Sequence, residues 1–144
     1  MTRIVGGRLS GRRLVTPAGA DTRPTSEKVR AAVANSLVAV GAVEGAAVLD
    51  LYAGSGALGL ELASRGAARV VLVERGRAAQ AAIRANIEAS NLAGMTLFAG
   101  DAASYAVTPG ESFDIVLADP PYAESEDAIR TVLGGLVTAG RLRP

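Results

Sequence analysis

The chain reads as an α/β protein, a parallel sheet with helices on both faces, and three observations predict it. Short apolar runs alternate with segments of helical spacing from Ala47 onward. The first run ends in a glycine turn, Gly54-Ser55-Gly56, that leads straight into a helix. Acidic residues close or follow the apolar runs, at Asp50, Glu74, Asp101 and Asp119. Those are the carboxyl ends of the strands, where open parallel sheets bind their ligands.

Composition sets the bounds. A chain of 144 residues, 49% of them hydrophobic, fits one domain able to bury about 70% of its unfolded surface. It has no apolar run of membrane-spanning length and no signal-peptide core at its N-terminus, so a cytoplasmic location is expected. Cysteine and histidine are both absent. That excludes disulfides, Cys/His zinc sites, Cys–His and Ser–His nucleophiles, and a cysteine adduct that activates a ring carbon. No metal centre is expected, and what remains is carboxylate, backbone and aromatic chemistry.

The net charge of +1 conceals an asymmetry. Residues 1 to 43 carry Arg3, Arg8, Arg12, Arg13, Arg23, Lys28 and Arg30 against Asp21 and Glu27, a balance of +5, while the remainder stands at −4. A basic arm on an acidic body points to a polyanionic substrate met at one end of the molecule, with a solvated tail as the plainer alternative.

Taken in order, Ile4-Val5 and Leu14-Val15 flank two glycine turns and fit a short, arginine-decorated β-hairpin. After the breaks at Pro17 and Pro24, Val29, Val33, Leu37 and Val40 recur at helical spacing, which predicts an amphipathic helix over 26–40 capped by Thr25 or Ser26. Gly41 to Gly45 divides this segment from the main domain. Strands follow at Ala47 to Leu51, Arg69 to Glu74, Met95 to Phe98 and Phe113 to Ala118. Helices are predicted at Ala57 to Ser64, at Ala78 to Ser90 with Ile83 and Ile87 inward, and at Ser125 to Leu136, which Ser125 caps.

Two stretches carry chemistry. Gly54-Ser55-Gly56-Ala57-Leu58-Gly59 matches the GxGxxG dinucleotide fingerprint, and Glu74 falls where a carboxylate holds ribose hydroxyls. Asp50, four residues before Gly54, would repel a pyrophosphate. S-adenosylmethionine, cationic and free of phosphate, suits it better. The second stretch, Asp119-Pro120-Pro121-Tyr122, ends a strand in a rigid loop that offers carbonyl and carboxylate acceptors beside an aromatic face. Two acceptors can hold both hydrogens of an exocyclic amine, and a tyrosine can stack a base. An ordinary Pro-Pro turn with a surface tyrosine is the plainer reading.

Together, Val48-Leu49-Asp50-Leu51-Tyr52-Ala53-Gly54-Ser55-Gly56, Val73-Glu74, Gly100-Asp101 and Asp119-Pro120-Pro121-Tyr122 resemble the motifs of class I S-adenosylmethionine-dependent N-methyltransferases. The N-terminal Arg3-Ile4-Val5-Gly6-Gly7, Gly11-Arg12-Arg13 and Arg23-Pro24-Thr25, with Val29-Arg30 and Asn35, resemble the RsmD type, which methylates the exocyclic N2 of a guanine in bacterial small-subunit (16S) ribosomal RNA. The resemblance implies a Rossmann-like class I methyltransferase sheet, C-terminally incomplete, with an N-terminal hairpin and helix extension. It implies an RNA-contacting segment over 1–43 and a catalytic domain over 44–144. The catalytic residues it implies are Asp119, Pro120, Pro121 and Tyr122. Asp50, Tyr52, Gly54, Ser55, Gly56, Glu74, Asp101, Ala102 and Asp119 would bind the cofactor, with Glu74 on the ribose, Asp101 on the adenine amine and Asp50 near the methionine end. Arg12, Arg13, Arg23, Thr25, Arg30 and Asn35 would bind RNA.

Two departures stand out: Ala31 and Ala34 replace the family's acidic and aromatic residues, and the family continues into three further strands. Either the sequence is a fragment, the favoured reading, or it is a shortened variant whose fourth strand is left on an exposed edge, and this chain is expected to be marginally stable. The partner implied is ribosomal RNA or a small-subunit assembly intermediate, with no membrane and a monomeric protein. The alternatives are a DNA adenine-N6 methyltransferase, an NAD-dependent oxidoreductase built on GxGxxG, and a non-catalytic RNA-binding module.

Overall fold

In the computed structural model, which describes residues 2–17, 27–121 and 123–143, strands β1 (Ala47–Leu51), β2 (Arg69–Glu74), β3 (Met95–Ala99) and β4 (Ile115–Ala118) form one parallel sheet in the order β3-β2-β1-β4. Helices α1 (Glu27–Ala39), α2 (Ala57–Ser64), α3 (Arg77–Ser90), α4 (Ala102–Val107) and α5 (Glu126–Thr138) cover its two faces. Among the described residues no helix is long and apolar enough to cross a membrane.

Strand parity builds the two cores. Leu49, Leu51, Val71 and Val73 face Tyr105 and Ala106 of α4 and Val132 and Leu136 of α5. Val48, Val70, Leu72 and Leu117 face Ala34 of α1, Leu62 of α2 and Ile83 of α3. With both faces covered, β1 is buried along its whole length, so it reads as a continuous apolar run interrupted only by Asp50. A third cluster, Ile4, Leu9, Leu14 and Leu60, seats the N-terminal arm on α2.

Three expectations need correction. The arm has one antiparallel bridge, Arg3 to Arg13, around a 3-10 turn at Gly7–Leu9, rather than a regular hairpin. Helix α1 buries Arg30 and Ala34, whereas Val29 and Val40, both predicted to face inward, are 53% and 77% exposed. The inward face is rotated because Arg30 is drawn to a buried carboxylate. The fourth strand begins at Ile115, not Phe113: Phe113 instead pairs in parallel with Leu142, its N–H donating to the Arg141 carbonyl at 2.7 Å. On that side of β4, pairing is seen at Phe113 and not along Ile115–Ala118 among the described residues.

Because the chain runs outward from β1 through β2 to β3 and then returns to place β4 on the other side of β1, the strand order reverses between β1 and β4. A crevice opens at such a reversal, at the carboxyl ends of the strands.

Candidate active site

The register pairs Leu51 of β1 with Ala118 of β4, so the two motif loops leave the sheet side by side. From β1 comes Tyr52, a non-glycine residue in the left-handed region at φ 57°, followed by Gly54 at φ 61° and Gly56 at φ 84°. Left-handed backbone favours glycine, and a tyrosine held there marks a turn that its surroundings enforce. Glu74 is one of those constraints. Its Oε1 accepts from the Gly54 N–H and its Oε2 from the Gly76 N–H, each at 2.8 Å. Asp50 is the other. At 3% exposure it lies under the loop, and its Oδ2 accepts from the Gly59 N–H at 3.0 Å. A Cβ at position 59 would stand 2.9 Å from that oxygen, so the third glycine of the motif lets α2 settle on Asp50.

From β4 come Asp119 and Pro121, both exposed, with Pro120 half-buried between them. The Pro121 carbonyl accepts from Glu124 N–H at 3.0 Å, closing a turn. The Glu124 carboxylate in turn accepts from the Tyr52 hydroxyl at 3.2 Å, which ties the β4 loop to the β1 loop. Tyr122, predicted to stack a base, lies outside the described residues, as do Arg23, Thr25 and the suggested helix cap.

Burial raises the Asp50 carboxyl from an ordinary 3.8 to about 7, the Gly59 N–H opposes this, and the charges of Asp119 and Glu74 reinforce it. Burial and the Glu124 carboxylate push the Tyr52 hydroxyl up to about 12. The charges of Glu74 and Asp119 thus act on Asp50 beneath the loop, and a cation placed near it relieves that repulsion. A Cβ at Gly54 would meet no atom within 4 Å, so the space above the loop is open. Among the described residues no group of three or more His, Cys, Asp or Glu side chains is placed to hold a metal ion.

Asp101 follows β3 and caps α4, accepting from the Ser104 N–H at 2.7 Å, a bond that lowers its carboxyl below the usual range. Ala102 is buried in the first turn of that helix. Ser55 presents its carbonyl to Asn86 of α3 at 3.0 Å, a partner no motif had singled out.

In the arm, Arg12 and Arg13 are exposed, and the Arg12 guanidinium donates to the Ala89 carbonyl at the end of α3. Asn35 is exposed and accepts from Arg65 at 2.6 Å. Arg30 corrects the expectation: it is fully buried, donating to Glu61 at 3.2 Å and to the Arg3 carbonyl, and cannot reach a phosphate from there. Glu61, also fully buried, accepts from the N–H groups of Val5 and Gly6 and from Arg65, each at 2.9 Å. Burial raises its carboxyl, but those four donors together hold it below the ordinary range. The sequence signal for this joint was a charged residue inside an otherwise apolar helix, Leu58-Gly59-Leu60-Glu61-Leu62.

A family model described as "Conserved hypothetical protein 95" matches residues 2–144. The chain is 38% identical over 120 residues to "Ribosomal RNA small subunit methyltransferase D" of Escherichia coli (strain K12), covering 83% of this chain and 60% of that one. It is 34% identical over 128 residues to "Putative rRNA methyltransferase YlbH" of Bacillus subtilis (strain 168), covering 86% of this chain and 68% of that one. Among solved structures, "Putative methyltransferase yhhF from Escherichia coli" superposes with a TM-score of 0.87 at 34% identity, over 99% of this chain and 75% of the other. The chain thus spans about three fifths of the length of the E. coli relative.

Proposed function

The chain belongs to the family described as conserved hypothetical protein 95, and from that membership and the site geometry we propose that it uses S-adenosylmethionine to methylate the exocyclic N2 of a guanine in bacterial small-subunit ribosomal RNA. The observation that carries this reading is the switch point: Asp119 and Pro120 lie beside the Tyr52-to-Gly56 turn, at a pole whose carboxylates favour a cation. The names of the E. coli and B. subtilis relatives supply the ribosomal RNA substrate.

The site suits the cofactor because open space stands over Gly54 and the charges of Glu74 and Asp119 act on Asp50 beneath the loop. Asp50, Tyr52, Gly54, Ser55, Gly56, Glu74, Asp101 and Ala102 would hold it. When bound, it supplies an electrophilic methyl group on a sulfonium. The Asp119 carboxylate and Pro120 carbonyl accept the two amine hydrogens and aim the nitrogen lone pair. Such positioning can supply roughly 7–11 kcal/mol. Asp119 also stabilises the positive charge that develops on nitrogen. The ammonium product sheds its proton readily, which needs no histidine. Tyr122 supplies the stacking face. Arg12, Arg13, Arg23, Thr25 and Asn35 hold the surrounding RNA, with Arg30 removed from that set by its burial. The target base is unpaired or flipped out so that its amine can enter.

Calorimetric titration with S-adenosylmethionine and NAD in parallel, followed by methyl transfer to 16S ribosomal RNA, tests the reading. Saturable binding of the sulfonium compound alone is expected, and preference for NAD would overturn it. Asp119→Ala is expected to cut transfer by roughly 100-fold or more while sparing cofactor affinity. Equal loss of both would make Asp119 a cofactor ligand and no more.

A further inference from the structure

We propose that Asn86 is a positioning residue that couples the basic arm to the glycine loop, so that gripping RNA and binding the cofactor strengthen each other. This rests on the methyltransferase reading above. Asn86 lies within α3 at 3% exposure, and its amide is engaged on two sides. Its Oδ1 accepts from the Val15 N–H at 2.7 Å and its Nδ2 donates to the Val15 carbonyl at 3.0 Å. The same Nδ2 donates its other hydrogen to the Ser55 carbonyl at 3.0 Å.

One side chain therefore pairs both backbone groups of an arm residue, as a neighbouring strand would, and uses what is left on the loop. The peptide between Ser55 and Gly56 is fixed at both ends, its carbonyl by Asn86 and its N–H by the Ala53 carbonyl at 2.8 Å. The arm is seated on the same helix one turn later, where Arg12 donates to the Ala89 carbonyl, and Leu14 packs against Leu60 close to Ala57, the first residue of α2.

Arg12 and Arg13 are the arm's exposed cations nearest this seat. A polyanion that stiffens them orders Val15, hence Asn86, hence Ser55, and a ligand that orders the loop stiffens the arm through the same amide. Coupling of this kind is reciprocal.

The test uses the whole chain. In the wild type, amide hydrogen exchange at residues 12–15 should slow when S-adenosylmethionine is added, and exchange at residues 54–56 should slow when polyuridylate is added. Val15→Pro removes the N–H that Asn86 accepts without substituting any residue of the loop or α3. It should weaken S-adenosylmethionine binding roughly tenfold, although the Val15 side chain is exposed, and Asn86→Ala should do the same and abolish both exchange effects. Wild-type arm and loop amides that each ignore the other's ligand would overturn the coupling, as would folded Val15→Pro that binds the cofactor with wild-type affinity. Failure of the wild type to bind S-adenosylmethionine would instead overturn the methyltransferase reading, since polyuridylate still reads the coupling at the loop.

Discussion

A carboxylate fixed beneath a glycine turn, with two more carboxylates close by, resists ionisation, and Asp50 is in that position. Its folded value near 7 against an ordinary 3.8 means that the native state holds a proton which the unfolded chain has released between those limits. Stability contributed by this group is therefore present below about pH 4 and declines as pH rises toward 7, by about 4 kcal/mol at most. Thermal melts across pH 5–8 should show that decline, and Asp50→Asn should flatten it. A cationic ligand lowers the same pKa, so binding near pH 6.5 should release protons, read as a buffer-dependent calorimetric enthalpy. Glu61 has the opposite character: its ionised form is held by Arg30, Arg65 and two backbone N–H groups. Removing it with Glu61→Ala strands the buried Arg30 guanidinium and should cost roughly 3–5 kcal/mol in denaturant unfolding. Both residues stand out in the sequence as charges inside apolar runs, but their roles do not. The partner of Glu61 lies 31 residues away on another helix, and charge counting placed Arg30 with the RNA-binding cations.

At the level of elements, local pattern located β1, α2 and β2 to the residue because those runs are buried and sharply bounded by glycine or turns. Helix α4 was missed. It has six residues, too few for a periodic signal, and is fixed by the Asp101 cap and by packing of Tyr105 against Phe98, with ring centroids 4.9 Å apart. The junction of α2 with β1 is sensitive to volume: Gly59→Ala would set a Cβ 2.9 Å from Asp50 Oδ2 and 3.0 Å from Leu72. A loss of about 1–3 kcal/mol is expected, measured by unfolding. Beyond α5, Arg141 is 2% exposed, donates to the carbonyls of Tyr105, Thr108 and Glu111, and lies 4.3 Å from the Tyr105 ring centroid. Arg141→Ala should lower the melting temperature by several degrees, since it removes three hydrogen bonds and the packing of a buried side chain on the Tyr105 ring.

For the molecule as a whole, charge is divided between a basic arm and an acidic crevice, yet the arm is no loose appendage: Ile4, Leu9 and Leu14 are buried, and Glu61 holds its backbone. Deleting it would expose that core and leave Glu61 with fewer partners, so its proposed RNA role is better tested by Arg8→Glu with Arg13→Glu, both at exposed positions. If about five side chains contact phosphate, the log–log salt slope of RNA binding should be roughly −3.5 to −4.5 and should flatten by about 1.5 in the double variant. An unchanged slope would remove those two residues from the interface. The sequence by itself determined the alternation of strands and helices, the glycine loop and the acidic strand ends, because each is written in contiguous residues and local backbone preference. Only the tertiary structure decided which carboxylate is exposed, which arginine is buried, and that Asn86 joins arm to loop. Those depend on contacts between residues far apart in the chain, where burial and partner, rather than residue type, set what a charge or an amide can do.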